Sequence, residues 1–182
     1  MIIKKYKLFL ESRYPFGCAM IKVNIDNWNE IVSEISPYDI YRYYSDIFGI
    51  QKNPHLSLLY GLHSEVSKSD VESCLTGISK INIEVDGLDF FKGKFKDILI
   101  LRVKNNEKIN SIYNCLSKLP NSDRIANYTP HITIAYLKPG RAQKYTDEKS
   151  PFYLGDFNFE IDNIKEVYYS TNTGKEFKIN LS

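Results

Sequence analysis

Hydrophobic and polar residues alternate along several short stretches of the chain, which is the pattern of strands with one buried face. The alternation predicts strands over residues 17–26, 81–91, 98–103, 157–170 and 177–181, and two more that begin at His55 and His131. An Asn-Thr-Gly turn at residues 172–174 joins the last two predicted strands as a hairpin. The chain is therefore predicted to be built around a sheet.

Capping signals and apolar spacing predict three helices between these strands. Their N-terminal signals are Asn27 with Glu30, Ser69 with Glu72, and Asn106. Each half of the chain is then a strand–helix–strand unit that ends in a strand beginning with histidine. We predict one α+β domain over residues 1–182, with lobes at roughly 1–80 and 81–182 and closing strands able to exchange between them.

The two strands that begin with histidine carry the same short phrase. Residues 53–62 read NPHLSLLYGL and residues 129–138 read TPHITIAYLK. In both, proline precedes the histidine, a hydroxyl residue follows it by two positions and tyrosine follows it by five. The whole chain has three histidines, so this repetition uses two of them.

Strict alternation along these strands assigns each side chain to a face. One face would carry His55, Ser57 and Leu59, and the same face of the second copy His131, Thr133 and Ala135. The opposite, apolar face would carry Leu56, Leu58 and Tyr60, and Ile132, Ile134 and Tyr136. The pattern therefore predicts that both tyrosines pack in the core. It also predicts that two such strands side by side hold four polar groups in one groove.

A pair of imidazoles, each beside a hydroxyl, suits phosphodiester cleavage without a metal ion. One neutral imidazole removes a proton from the attacking oxygen while the other, protonated, donates one to the leaving oxygen. Histidine suits both roles because its ordinary pKa is about 6.5. The hydroxyls of Ser57 and Thr133 would hydrogen-bond the nonbridging phosphate oxygens. The predicted catalytic residues are His55, Ser57, His131 and Thr133, with no metal and no cofactor.

Composition limits the partners. Lys plus Arg number 24 and Asp plus Glu number 22, which gives a formal net charge of +2. This small charge argues against strong electrostatic binding of long duplex nucleic acid. A short phosphorylated ligand is compatible with this balance. The apolar stretch at the N-terminus is too short and too interrupted by charges for a signal peptide. No apolar stretch approaches the roughly 20 residues that span a bilayer. We expect a cytoplasmic monomer that does not bind membranes.

The cysteines support the same expectation. Cys18, Cys74 and Cys115 are odd in number and contain no CxxC pair. This spacing predicts buried free thiols in a reducing compartment, and neither a disulfide framework nor a zinc site.

The paired His-x-Ser/Thr motifs resemble those of the 2H phosphoesterase superfamily. Within it, the phrases PHLSLLYGL and YTPHITIAYLKPG are most similar to the phage anti-CBASS branch, which destroys cyclic oligonucleotide signals. The resemblance implies a bilobal fold with pseudo-twofold symmetry around a central cleft lined by both motifs. It implies a metal-independent phosphodiesterase that hydrolyses 3′–5′ linkages of cyclic di- or trinucleotides, in the host cytoplasm if a phage encodes it. Ser57 stands where many members have threonine, and it preserves the hydroxyl.

Four further residues are candidates for substrate binding, each with a structural alternative. Tyr14 would stack on a base or pack against the protein. Lys138 and Arg141 would steady a phosphate or lie as solvated charges in an exposed turn. Glu166 would read the edge of a base or lie on the surface.

Two alternative functions are compatible with the sequence. One uses the same four catalytic residues, and the other involves no catalysis. One is the processing of 2′,3′-cyclic or 2′,5′ RNA ends by a LigT-like enzyme, which the motifs alone do not distinguish from cleavage of cyclic oligonucleotides. The other is a catalytically silent protein that binds and sequesters nucleotides. The two intact histidines argue against the silent protein, because binding alone has no chemical need for them.

Overall fold

The computed structural model describes residues 16–42, 49–122 and 128–182, and eight strands and four short helices lie within them. The strands are β1 (Gly17–Lys22), β2 (His55–Leu62), β3 (Ile81–Phe91), β4 (Asp97–Val103), β5 (His131–Leu137), β6 (Asn158–Ile164), β7 (Glu166–Ser170) and β8 (Glu176–Asn180). The helices are α1 (Trp28–Ser33), α2 (Lys68–Ser73), α3 (Glu107–Leu116) and α4 (Gln143–Thr146).

All eight strands belong to one antiparallel sheet, in the order β6-β3-β4-β5-β2-β1-β7-β8. The two strands that begin with histidine, β5 and β2, are the central neighbours. Outward from them the halves match, with β4 opposite β1, β3 opposite β7 and β6 opposite β8. The units β1–α1–β2 and β4–α3–β5 repeat the same connection. The predicted duplicated α+β fold is confirmed.

One face of the sheet carries the apolar core. Side chains of the four inner strands that point to this face, such as Ala19, Leu56, Leu99 and Ile132, are fully buried. They form one cluster with the apolar side of α3, which contributes Ile109, Ile112 and Leu116. Because the helices cover this face, the polar side chains of the inner strands lie on the other face. The candidate site lies there.

The predicted helix signals had mixed outcomes. The Asn106 side chain accepts a hydrogen bond from the backbone N–H of Ile109, so this predicted cap is confirmed. Asn27 precedes α1 in a left-handed conformation, φ 60°, without a side-chain cap. The capping box of α2 is formed by Ser67 and Asp70 rather than by Ser69 and Glu72, because an aspartate three residues after Ser67 can fill the role predicted for a glutamate.

The predicted strand over residues 157–170 is two strands that lie at opposite sides of the sheet. β6 pairs with β3, whereas β7 pairs with β1 and with β8. The chain changes direction around Asn163, which has φ 56°, and Lys165 separates the strands. The predicted hairpin between the closing strands is confirmed, because β7 and β8 pair across the turn that contains Gly174 (φ 80°).

The prediction of three free thiols is wrong for two cysteines. Cys74, which directly follows α2, and Cys115 in α3 form a disulfide with a Cα–Cα distance of 5.5 Å. Their separation of 41 residues gave no sequence signal for this pairing. Cys18 is free. The cysteines therefore no longer support a reducing compartment.

The helices in the described part of the chain are all too short or too polar to cross a bilayer.

Candidate active site

The two motifs meet at the centre of the sheet. Leu56 of β2 is the partner of Ile132 of β5 in an antiparallel pair. One residue further in each direction, this register sets His55 opposite Thr133 and Ser57 opposite His131. Side chains directly opposite on antiparallel strands have Cβ atoms about 5 Å apart. The residues His55, Ser57, His131 and Thr133 therefore form one group, which we call the motif patch.

The two imidazoles are held in the same orientation. Nδ1 of His55 lies 3.0 Å from the carbonyl oxygen of Asn53, and Nδ1 of His131 lies 2.7 Å from that of Thr129. A carbonyl oxygen can only accept, so these bonds form in the tautomer whose Nδ1 carries the hydrogen; the amide Nε2 of Gln51 also lies 3.3 Å from Nδ1 of His55. Nε2 is then the nitrogen left to exchange a proton with a ligand. In both motifs the carbonyl oxygen of the preceding proline accepts a hydrogen bond from a neighbouring strand segment. Pro54 accepts from the backbone N–H of Val23, and Pro130 accepts from that of Val103.

Burial lowers the pKa of both histidines below the ordinary value. The hydrogen bond to the backbone opposes this shift in each case, and a nearby positive charge adds to it. For His55 that charge is Lys22, and for His131 it is His55 itself. Protonation of one imidazole thus disfavours protonation of the other. An acid and a base acting together require a state in which one imidazole is protonated and the other is neutral.

The prediction that Tyr60 and Tyr136 pack in the core is wrong, because a β-bulge interrupts each motif strand. Met20 pairs with Ser57 but Ala19 pairs with Leu59, so the register skips Leu58. The register of β5 likewise skips Ile134. An extra residue reverses the alternation beyond it. Both tyrosines therefore lie on the face of the motif patch, with Tyr60 49% exposed, whereas Leu59 and Ala135 are buried in the core.

A sequence signal for these bulges exists. Leu58-Leu59 and Ile134-Ala135 are consecutive apolar pairs in the middle of otherwise alternating strands. Such a pair breaks the period of two, and a bulge is the usual way for both of its members to face the core.

Each motif hydroxyl has a supporting side chain that the sequence did not indicate. The Cys18 thiol lies 3.9 Å from the hydroxyl oxygen of Ser57 and donates to it, and burial raises the pKa of that thiol to about 12. The thiol is therefore protonated. Thr133 has a hydrogen-bonding interaction with the Tyr136 phenol, which opposes the rise that burial causes in the pKa of Tyr136. The supports are a thiol in one half and a phenol in the other.

A basic residue stands beside each motif histidine. Lys22 of β1 pairs with His55, and Arg102 of β4 pairs with His131. Each cation also has acidic partners. Lys22 Nζ lies 2.5 Å from Glu176, whereas Arg102 Nε lies 2.8 Å from Asp86 and its Nη1 lies 3.5 Å from Asp89.

The absence of a side chain at Gly87 leaves room for the guanidinium group of Arg102. Gly87 has φ 138°, and a Cβ there would lie 3.1 Å from Nη2 of Arg102. Without that Cβ, the guanidinium lies across β3 and Nη2 donates to the carbonyl oxygen of Asp86 at 2.8 Å.

Aromatic rings lie beside the His131 end of the motif patch. The ring of Phe91 stands edge-on to His131, with a centroid distance of 4.9 Å. Tyr128, three residues before His131, donates its hydroxyl to the carbonyl oxygen of Ser57 at 2.9 Å and stacks on Tyr113 with a centroid distance of 4.2 Å. Across residues 16–42, 49–122 and 128–182, no three His, Cys, Asp or Glu side chains are grouped as ligands of one metal ion.

Lys138, Arg141 and Glu166, three of the four predicted substrate-binding residues, bond to groups outside the motif patch. Tyr14 lies outside the described residues. Lys138 is seven residues from His131 along β5, roughly 20 Å, and it donates to the carbonyl oxygen of Tyr38. Arg141 faces the buried carboxylate of Asp39, with Nε 3.8 Å from Oδ1. Glu166 accepts from the Tyr168 hydroxyl at 2.8 Å and pairs with Lys178 on the neighbouring strand.

Comparison with known proteins agrees with this arrangement. The profile of the 2′-5′ RNA ligase superfamily matches residues 26–173. Usb1 of Kluyveromyces marxianus with uridine monophosphate has a TM-score of 0.58 at 10% identity, over 92% of this chain and 99% of that one. E. coli LigT with 3′-AMP has a TM-score of 0.51 at 15% identity, over 93% and 97%. No curated protein matches in sequence.

The structural likenesses show the fold, and the profile match covers both motif strands and most of the sheet. The chain therefore belongs to the 2′-5′ RNA ligase superfamily, the 2H phosphoesterases, and is a phosphodiesterase.

Proposed function

We propose that the motif patch cleaves a nucleotide phosphodiester by acid–base catalysis between its two histidines, without a metal ion. The observation that carries the proposal is the matched fixing of the two rings, each held through Nδ1 by the carbonyl oxygen two residues earlier. Both Nε2 atoms are then available to a single phosphate bound between the strands. Ser57 and Thr133 are the hydroxyl donors to its nonbridging oxygens.

The reaction proposed for a 3′–5′ linkage begins with the neighbouring 2′-hydroxyl. One imidazole takes the proton of that hydroxyl as its oxygen attacks phosphorus. The other imidazole gives its proton to the departing 5′-oxygen, so the P–O5′ bond breaks as the P–O2′ bond forms. The products are a 2′,3′-cyclic phosphate and a 5′-hydroxyl. Water can then open the cyclic phosphate, with the two histidines in exchanged roles.

The proposed substrate is a cyclic di- or trinucleotide second messenger with 3′–5′ linkages. This choice rests on the likeness of the two motif phrases, PHLSLLYGL and YTPHITIAYLKPG, to those of phage enzymes that oppose CBASS signalling. The nearly balanced charge of the chain supports a small ligand over long duplex nucleic acid. Its biological role would then be to counter antiviral signalling.

A second candidate is the processing of RNA ends, on 2′,3′-cyclic or 2′,5′ linkages. It is supported by the fold likeness to Usb1 and LigT at TM-scores above 0.5, with coverage of more than nine tenths of each chain. The same four side chains would carry out this reaction.

A substrate panel separates the candidates. The protein is incubated in EDTA with cyclic dinucleotides, cyclic trinucleotides, 2′,5′-oligoadenylate and RNA with a 2′,3′-cyclic end, and the products are identified by mass spectrometry. The proposal predicts cleavage of the cyclic oligonucleotides alone. Cleavage of the RNA end or the 2′,5′ linkage alone would select RNA processing. Binding without products would indicate a nucleotide-sequestering protein, and loss of activity in EDTA would contradict metal-free chemistry.

A further inference from the structure

Lys96 borders the motif patch on the side of Thr133. It directly precedes β4, and two residues further on Ile98 is the strand partner of Tyr136. The ammonium nitrogen of Lys96 lies 4.7 Å from the centroid of the Tyr136 ring. Because Tyr136 lies on the face of the motif patch, this cation–π contact sets the Lys96 ammonium on the same face.

The Tyr136 ring lies between the Lys96 backbone and Thr133. The phenol has a hydrogen-bonding interaction with the Thr133 hydroxyl, which is the group proposed to bind a nonbridging oxygen of the scissile phosphate. Asp97 is the strand partner of Leu137, so the backbone of Lys96 lies beyond Tyr136, on the side away from Thr133. The lysine therefore reaches towards the patch from its border and does not share the position of the scissile phosphate.

The backbone that carries Lys96 is held on both sides. Gly93 closes the connection between β3 and β4, since a Cβ at that position would collide with the carbonyl oxygen of Lys96. Asp97 is fully buried, and its carboxylate accepts from the backbone N–H groups of Gly140 at 2.8 Å and Ala142 at 3.3 Å. A ligand that binds Lys96 thus meets a side chain on an anchored backbone.

Partial burial makes an anionic ligand favourable for Lys96. Burial lowers the pKa of its ammonium below the ordinary value, because the charged form loses part of its hydration. A phosphate oxygen replaces that hydration with a charge-assisted hydrogen bond. Lys96 therefore gains more from an anion than a fully solvated lysine does.

We propose that Lys96 binds the phosphate next to the scissile one, on the Thr133 side of the motif patch. Successive phosphates of a nucleotide chain are separated by one ribose, and Lys96 and Thr133 are separated by one phenol ring. The inference rests on the proposed function only in that the ligand is a nucleotide whose scissile phosphate occupies the patch. Lys96 then favours substrates with a second phosphodiester, such as a cyclic oligonucleotide, over a nucleotide with one phosphate.

The test compares three 3′–5′ dinucleotides that the protein cannot cleave, because both riboses carry a 2′-O-methyl group in place of the attacking hydroxyl. The first has no terminal phosphate, and the other two carry a methyl phosphate diester at the 5′ or at the 3′ end. Isothermal titration calorimetry measures each Kd. Wild-type protein should bind one extended dinucleotide about tenfold more tightly than the first, as expected for one charge-assisted contact. Lys96→Gln should lose this gain and bind the first dinucleotide as wild type does.

The salt dependence of binding is a second readout. Each phosphate contact that is lost from a single strand lowers the steepness of log Kd against log salt concentration by about 0.7. Lys96→Gln should show this decrease with the favoured extended dinucleotide and no change with the first. An unchanged steepness with the extended dinucleotide would contradict a direct contact between Lys96 and the added phosphate.

Two matched variants separate a local contact from the general field of the protein. Lys94→Gln removes the same charge from the same turn, but the Lys94 ammonium lies over the ring of Phe95, 5.5 Å from its centroid, and the gain should remain. Lys96→Arg keeps a cation and should keep most of the gain. An equal loss in Lys94→Gln, a full gain in Lys96→Gln, or wild-type protein that binds all three dinucleotides alike or none of them would overturn the inference. The proposed function is judged separately, by cleavage of the substrate panel.

Discussion

The two halves of the motif patch share their reacting groups and differ in what surrounds them. In both, a proline carbonyl stays in the sheet, Nδ1 is held by a carbonyl oxygen and a bulge turns a tyrosine towards the patch. On the His55 side the cation Lys22 has one carboxylate partner among the described residues, Glu176. On the His131 side Arg102 has two, Asp86 and Asp89.

The differences come from the neighbouring strands. β1 supplies Lys22 and the thiol of Cys18, whereas β4 supplies Arg102, and Ile98 stands where β1 has Cys18. The Thr133 hydroxyl is supported instead by Tyr136 from its own strand. The repeated sequence phrase thus produces two equivalent histidines and hydroxyls, and the unrepeated strands make their environments unequal. Unequal environments are what assign different roles to two equivalent side chains.

Loss of either histidine should have the largest effect. His55→Ala and His131→Ala should each lower kcat by about 10²- to 10⁴-fold, because each removes one proton-transfer group. The measurement is single-turnover cleavage of the substrate found in the panel. His63→Ala is the matched control, since His63 bonds Ser122 away from the patch, and it should keep full activity. Substantial activity in either motif variant would contradict catalysis by two histidines.

The hydroxyls should rank next. Ser57→Ala and Thr133→Ala should each lower kcat by roughly 10²-fold, the loss typical of removing one donor to a developing charge. The effect should fall on kcat more than on KM if the hydroxyls stabilise the transition state. Thr133→Ser and Ser57→Thr keep the hydroxyl and should retain most activity. A full loss in Thr133→Ser would assign the role to the methyl group's packing.

The supports of the hydroxyls should reveal the asymmetry between the halves. Tyr136→Phe removes a phenol that interacts with Thr133, and should lower kcat about fivefold, the worth of one ordinary hydrogen bond. Cys18→Ala removes a weaker thiol donor from Ser57 and should lower kcat about twofold. Thermal unfolding measured in parallel reports any loss of packing. A larger loss for Cys18→Ala than for Tyr136→Phe would reverse the comparison.

The smallest predicted effect is a shift in pH dependence. The positive charge of Lys22 lowers the pKa of His55. Lys22→Gln removes that charge and leaves Glu176 unpaired, and both changes raise the pKa of His55. One limb of the kcat/KM profile should therefore move to higher pH. Lys104→Gln removes a similar exposed lysine paired with Glu84, and should move neither limb. A profile of Lys22→Gln that moves to lower pH would contradict the assignment.

The sequence was sufficient for features that depend on local pattern. β3 has the predicted bounds of 81–91, both motif strands begin at the predicted histidine, and Asn106 caps the helix that follows β4. Alternation and side-chain capping act over a few residues, so one sequence expresses them directly. The repeated phrase also indicated that the two motifs belong to one site.

Features that depend on long-range packing were missed. The disulfide joins Cys74 and Cys115 across 41 residues, and Lys22 and Arg102 reach the histidines through strand pairing that no local pattern encodes. The division of residues 157–170 between opposite sides of the sheet is a property of the whole topology. The misplaced tyrosines are a different case, because the apolar pairs at Leu58-Leu59 and Ile134-Ala135 carried the signal.

The most direct measurement of the central claim uses a substrate whose leaving group does not need an acid. In a 3′–5′ linkage with sulfur in place of the 5′-bridging oxygen, the departing thiolate leaves without protonation. If His55 and His131 flank one phosphorus as base and acid, this substrate restores most of the rate to one of the variants His55→Ala and His131→Ala, and none to the other. Restoration in both variants, or in neither, would contradict the account.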